Sequence, residues 1–210
     1  MVYAVIIAFV SMKGGVGKST LAVHAYAYAK REGKSAWLVD MDPQRSSSEW
    51  LDGNDSNAKC YHLTKTEDAA AAVRERSKDT DWVIIDGGGG LIDPTRVGLL
   101  LADVVVIPTK ASRIDYSATM EVLRLANQAR VERGKNAARV MVVPSMVMAG
   151  QLVTNQLIDE LEQLSVTIGP AIHHRSAFAK AAGDMNFVWA QKDAHAIAEI
   201  ELLMQSIEEK

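Results

Sequence analysis

One ten-residue stretch, Ser11-Met12-Lys13-Gly14-Gly15-Val16-Gly17-Lys18-Ser19-Thr20, constrains this chain more than any other. It lies between an apolar run, Ala4 to Val10, and a helix-like run, Leu21 to Lys30. Strand, glycine loop and helix in that order make a phosphate-binding loop. The helix start presents unpaired N–H groups, and the glycines let the backbone from Gly14 through Val16 to Gly17 close on phosphate oxygens. Lys18 supplies a positive charge for the β- and γ-phosphates. Ser19, followed by Thr20, places a hydroxyl where Mg²⁺ would sit. The general pattern has a glycine five residues before Gly17. Met12 stands there instead, and a second lysine, Lys13, precedes Gly14 and Gly15.

Strand-like and helix-like segments alternate along the rest of the chain. Strands are expected at Tyr3–Val10, Ser35–Asp40, Cys60–Leu63, Trp82–Asp86, Val104–Pro108 and Arg139–Val143. Helices are expected at Thr20–Arg31, Ser47–Leu51, Glu67–Ser77, Tyr116–Glu132, Leu152–Leu164 and Ala194–Glu209. Continuous Val/Ile runs, rather than alternating ones, mean strands buried on both faces. They predict an α/β, doubly wound, mostly parallel sheet with helices on both faces. At 210 residues the chain reads as one domain, 1–210. Ligands in such folds bind at the carboxyl ends of strands. The residues at Ser11–Ser19, Asp40–Gln44, Asp86–Gly90 and Pro108–Lys110 all follow strand ends.

Asp86 follows Val83-Ile84-Ile85, which places a carboxylate where it reaches Mg²⁺ through water. Four glycines, Gly87–Gly90, come next and carry a large ordering entropy. They predict a switch loop, loose without ATP and ordered by the γ-phosphate. With 48% hydrophobic and 23% charged residues the chain is an ordinary globular protein. A net charge of −3 excludes a globally basic nucleic-acid binder but not a local basic patch. Cys60, alone in the chain, rules out an intramolecular disulfide and a Cys-rich metal site, and reads as a structural thiol. His173 and His174, adjacent on an extended segment, point apart and do not make a metal pair. The start, Val2 to Val10, is too short for a leader and lacks basic residues. No run reaches the roughly 18 apolar residues of a spanning helix, so a cytosolic protein is expected.

The glycine loop with Lys13 resembles the deviant Walker A box of the ParA/MinD superfamily of ATPases. Asp40-Met41-Asp42-Pro43-Gln44 resembles that family's D-x-D-P-Q box. Asp86 and the glycines after it resemble the Asp-Gly-Ala-Gly of ParF-like plasmid partition ATPases. Weaker matches at Ser46–Trp50, Ile107-Pro108, Asp115–Ala118 and Ile197–Ile207 extend the resemblance over nearly the whole chain. It implies ATP and Mg²⁺ as cofactors. It implies that Lys13 reaches across a dimer interface to the partner's nucleotide, that Asp42 orients the attacking water and that Asp40 supports the Mg²⁺ shell. Pro108 and Thr109 would form part of the adenine pocket. Many relatives carry Asn or Arg near the base where this chain has Pro144-Ser145-Met146, so adenine over guanine is implied by the resemblance alone.

The same resemblance implies an ATP-sandwich homodimer that binds DNA without sequence preference. Arg139, Arg175 and Lys180 are the candidates for phosphate contacts, with Arg130, Arg133 and Lys135 as a second cluster. A small centromere-binding protein of the ParB/ParG kind would stimulate a weak ATPase, and plasmid or chromosome segregation on the nucleoid would be the outcome. No segment precedes the first strand, so operator binding is expected of that partner. A MinD-like membrane cycler would end in a basic amphipathic helix, whereas Glu199–Lys210 is acidic. A nitrogenase iron-protein relative would need two cysteines per subunit. A ParA-like positioning ATPase for another cargo and an ATP-dependent biosynthetic enzyme of the same fold stay open. Intact Lys13, Lys18, Asp42 and Asp86 argue against a non-catalytic adaptor.

Overall fold

The apolar runs lie side by side in one sheet, and among the described residues every strand pairing is parallel. The computed structural model describes residues 4–90, 92–148, 152–164 and 166–209. Tyr3, the expected start of the first strand, lies outside them. The order of elements is β1 (Val5–Ser11), α1 (Lys18–Arg31), β2 (Ala36–Asp40), α2 (Ser46–Asn54), β3 (Cys60–His62), α3 (Thr66–Arg76), β4 (Trp82–Gly89), α4 (Ile92–Leu101), β5 (Val104–Thr109) and α5 (Arg113–Arg133). A 3-10 turn (Gly134–Asn136), β6 (Arg139–Val147), α6 (Leu152–Glu162), β7 (Thr167–Ile168), β8 (Ile172–His173), α7 (Ser176–Gly183), α8 (Val188–Gln191) and α9 (Ala194–Glu208) follow. Across the sheet the strands run β3-β2-β4-β1-β5-β6-β7, with β8 also pairing to β6. The chain leaves β1 toward one edge, returns through β4, then crosses to β5 on the other side. That reversal beside β1 is the switch point at which such sheets hold ligands.

Both faces are covered, as the unbroken apolar runs require. Ile7 and Phe9 join a core with Leu21, Trp50, Leu203 and Met204 from α1, α2 and α9. Ala8 and Val10 join the opposite core with Val73, Leu99, Val122 and Leu161 from α3 to α6. Helix α4 is not indicated by the sequence pattern, because Pro94 and Gly98 interrupt it. Pro94 stands in the first turn, where a missing N–H is harmless. Gly98 lets the helix lie close on β1: a Cβ there would come within 2.9 Å of Ala8 and Val10.

Two strands run further than the sequence pattern indicates. β6 continues through Pro144 to Val147, because β8 supplies new partners for Ser145 and Val147 after β5 ends. β4 continues through Gly89, where an independent loop was expected. Ser11 pairs with Gly89, and the Gly90 N–H donates to the Ser11 carbonyl at 3.2 Å. Gly87 fits because it lacks a side chain; a Cβ would meet Val10 Cγ1 at 3.0 Å.

Candidate functional site

The glycine loop joins the end of β1 to α1 at the switch point. Gly15 (φ 70) and Gly17 (φ 91) adopt the left-handed conformation that side chains disfavour. Ser11 Oγ accepts from the Lys13 N–H at 3.1 Å, and Ser145 Oγ donates to the Val16 carbonyl at 2.7 Å, so both ends of the loop are tied. No side chain caps α1, and no acidic residue occupies its first turn. Its leading N–H groups therefore form an anion-binding end.

Carboxylates surround the Lys18 ammonium. Its Nζ donates to Asp86 Oδ1 at 3.0 Å and lies 3.6 Å from Asp42 Oδ2. Asp86 is fully buried, and burial pushes its carboxyl above the ordinary range, against the opposing pull of Lys18. Its second oxygen, Oδ2, is buried without a hydrogen-bond partner, and Ser19 stands beside the same carboxylate. An orphaned carboxylate oxygen next to a helix-start hydroxyl fits a hydrated Mg²⁺. Among the described residues no cluster of three or more His, Cys, Asp or Glu could hold an ion unaided.

Asp42 Oδ1 accepts from the Gln44 N–H at 2.9 Å and Oδ2 from the Gly89 N–H at 3.3 Å. It thus links the glycine end of β4 to the phosphate loop. Asp40 is the residue that the resemblance implies supports the Mg²⁺ shell. It is wholly buried, and its two oxygens accept from the Asp42 N–H and the Ser48 N–H, each at 2.9 Å. It shapes the turn that carries Asp42 and anchors α2. Cys60 is partly buried and its thiol pushed upward mainly by burial, consistent with an inert structural thiol.

A cleft of about 560 Å³ opens over the loop, bordered by Lys13, Lys18, Asp42, Glu49, Met146 and Met185. Lys13 is half-exposed there. Met146 (φ 52) and Met185 (φ 47) hold left-handed conformations, as does Arg45 (φ 56) at the start of α2. Strained backbone at a cleft edge costs about 1–3 kcal/mol per residue and concentrates at ligand sites. Beside Gly17 and Thr20 an adjoining recess of about 190 Å³ is walled by Met146, Ile172, His174 and Phe178. Pro108 and Thr109 are elsewhere. Both are buried in β5, and Thr109 Oγ1 is paired with Thr119 Oγ1 at 2.6 Å. They line neither the cleft nor the recess, which is walled by the end of β6 and the β8–α7 segment.

The pattern of apolar residues hid a further group. His24, one turn beyond Thr20, is buried against Trp50, Phe178, Phe187 and Trp189, with ring centroids 5.7 to 6.0 Å away. Its Nδ1 donates to the Thr20 carbonyl at 2.7 Å, and its Nε2 accepts from the Val188 N–H at 3.1 Å. The ring is therefore neutral with one tautomer, and burial pushes its pKa down to about 4. It ties the start of α1 to α7 and α8.

The cationic candidates separate. Arg139 donates to the Ser206 and Ile207 carbonyls at the end of α9, and Arg133 to the Leu99 and Ala102 carbonyls at the end of α4. Arg175 donates to Glu199 Oε1 through Nε and Nη2, at 3.0 and 2.6 Å, and His173 Nδ1 donates to the same oxygen at 2.8 Å. Lys180, Arg130 and Lys135 are exposed.

A glycine loop of this geometry, at the switch point of a parallel sheet and facing a buried lysine–carboxylate pair, defines a P-loop nucleotide-binding protein. Within that class, residues 7–187 match the CobQ/CobB/MinD/ParA nucleotide-binding domain, and the chain belongs to that family of ATPases. It is 31% identical over 180 residues to the chromosome-partitioning ATPase Soj of Thermus thermophilus, covering 70% of this chain and 68% of Soj. It is 23% identical over 180 residues to maintenance of carboxysome distribution protein A of Halothiobacillus neapolitanus, covering 83% and 82%. Its fold superposes on a Cyanothece McdA–ATP complex with a TM-score of 0.82 at 14% identity, covering 100% and 98%. Among the described residues no helix is long and apolar enough to cross a membrane.

Proposed function

We propose that this protein is a Mg²⁺-dependent ATPase that closes as a homodimer around two ATP molecules. In that state it binds duplex DNA without sequence preference and, with a small centromere-binding partner, segregates a plasmid or chromosome. The observation that carries the reading is the Lys18 ammonium held between Asp86 and Asp42 beneath an uncapped helix start. Lys18 is poised to exchange its carboxylate partner for phosphate oxygens, and the first-turn N–H groups hold the remaining phosphate charge. Asp42, fixed by the Gln44 and Gly89 N–H groups, is placed to orient a water. Positioning of this kind suffices for phosphoryl transfer. Ser19, and Asp86 through water, are the residues that would hold Mg²⁺, which neutralises phosphate charge when bound. Lys13, at the cleft rim without an ion pair to any described residue, is available to a second protomer's nucleotide. The Asp42–Gly89 hydrogen bond is the contact through which the γ-phosphate would shift the end of β4.

Binding to a non-specific duplex, measured with ATP, with ADP and without nucleotide across a salt series, tests this reading. ATP-only binding that weakens with salt, and is lost in Lys18→Ala, is expected. Binding equal in all three states would reject it. Similarity to a carboxysome-distribution protein supports a second reading, the same cycle moving another cargo. The DNA result would be identical, and the partner protein alone would differ.

A further inference from the structure

We infer that a docking surface for an amphipathic, acidic segment of a partner protein lies at the end of the sheet opposite the nucleotide cleft. A groove of about 770 Å³ runs between the C-terminal half of α5, the 3-10 turn, the start of β6 and the approach to β7. Met120, Leu123, Val140, Leu164 and Val166 supply apolar side chains to its lining. Its rim is basic, with Arg130, Lys135 and Arg139. Among the described residues no aspartate or glutamate lines it, although the chain as a whole carries a net charge of −3.

Part of this basic character is structural. Helices α4 and α9 end on this side, and Arg133 and Arg139 satisfy their last carbonyls, where cations are favoured. Arg130 and Lys135 have no such task. Both are exposed, and neither is ion-paired to any described residue. The neighbouring acid on α5, Glu132, borders a different recess beside α4.

The cations select carboxylates or phosphates, and the apolar side chains among them decide between the two. A DNA backbone would use the cations and gain nothing from Met120, Val140 or Val166. A helix with an apolar stripe flanked by Asp and Glu would use both. From Val140 to Met146, which borders the nucleotide cleft, is about 20 Å of strand, so such a segment does not compete with ATP. The groove thus suits a partner carried through the whole nucleotide cycle, unlike one that reads the ATP state.

Displayed random peptides of about 16 residues, long enough for a helix of about 24 Å, provide the test. They are selected on the full chain after depletion on an Arg130→Glu/Lys135→Glu double variant, whose ATP affinity reports that it is folded. The expected binders combine Leu, Ile, Met or Phe with Asp and Glu. They bind equally with ATP, with ADP and in Lys18→Ala, and lose at least tenfold in affinity on the double variant. No binder that separates the two proteins, or binders that are basic, would overturn the inference. So would a DNA duplex that protects Arg130 and Lys135 from chemical modification while acidic peptides do not.

Discussion

His24 makes the stability of this protein depend on pH in a way that can be calculated. The imidazole is held neutral, because its Nε2 must keep a lone pair for the Val188 N–H and its Nδ1 proton is committed to the Thr20 carbonyl. Burial lowers its pKa from 6.5 to about 4. The folded state thus binds the proton less tightly than the unfolded chain. The stabilisation is complete above the unfolded value of 6.5 and is lost as pH falls toward 4. The full shift corresponds to about 3 kcal/mol, of which about 2 kcal/mol disappears between pH 7 and pH 5. Urea unfolding of the wild type and of His24→Leu at those two pH values isolates the term. The leucine variant carries a constant penalty of about 1–3 kcal/mol at both, from the Val188 N–H left without an acceptor. Its loss on acidification should be smaller than the wild type's by about 2 kcal/mol. Equal losses in the two proteins would refute the argument. If His24→Leu does not fold, the NMR titration of the His24 ring decides the same question. A midpoint near 6.5 would show that the ring is not held neutral.

Three further outcomes follow from the site. Lys13→Ala should bind ATP as a monomer with near-normal affinity yet fail to dimerise with ATP in sedimentation. Unchanged dimerisation would remove Lys13 from the interface. Asp42→Ala should cut turnover at least a hundredfold while ATP-dependent dimers persist, because water positioning is lost but phosphate binding is not; normal phosphate release would reject its role. Gly89→Ala would bring a Cβ to 3.2 Å from Gly14 Cα. Overpacking of about 1–3 kcal/mol against the phosphate loop should weaken ATP binding roughly tenfold or more, readable by calorimetry. Wild-type affinity would mean that the loop yields freely.

Much of this architecture is legible in the chain because its signals are local. The Val/Ile runs without alternation specify strands covered on both faces. The strand–glycine–helix order specifies a phosphate loop at the switch point, and Lys18, Asp42 and Asp86 are recognisable because each follows the end of an apolar run. The hydrogen bonds of Asp40 were not legible: its bond from the Ser48 N–H depends on where Ser48 comes to rest. That Pro108 and Thr109 lie buried in β5, away from the cleft, was not legible for a similar reason. Their position at a strand end is local, but the continuation of β6 and the pairing of β8 decide which segment borders the recess. Composition implies that four glycines form a free loop. Tertiary structure made them the end of β4, because β1 and the phosphate loop offer a ladder that only residues without side chains approach closely enough to use. The sequence by itself determined the central strands, the order of the main elements and the glycine loop between β1 and α1, since those follow from periodicity and backbone chemistry over a few positions. Only the tertiary structure decided which cations stand free and which close helix ends, and that His24 stays neutral. Those outcomes depend on partners far away in the chain, brought close only by the packing of the sheet and its helices.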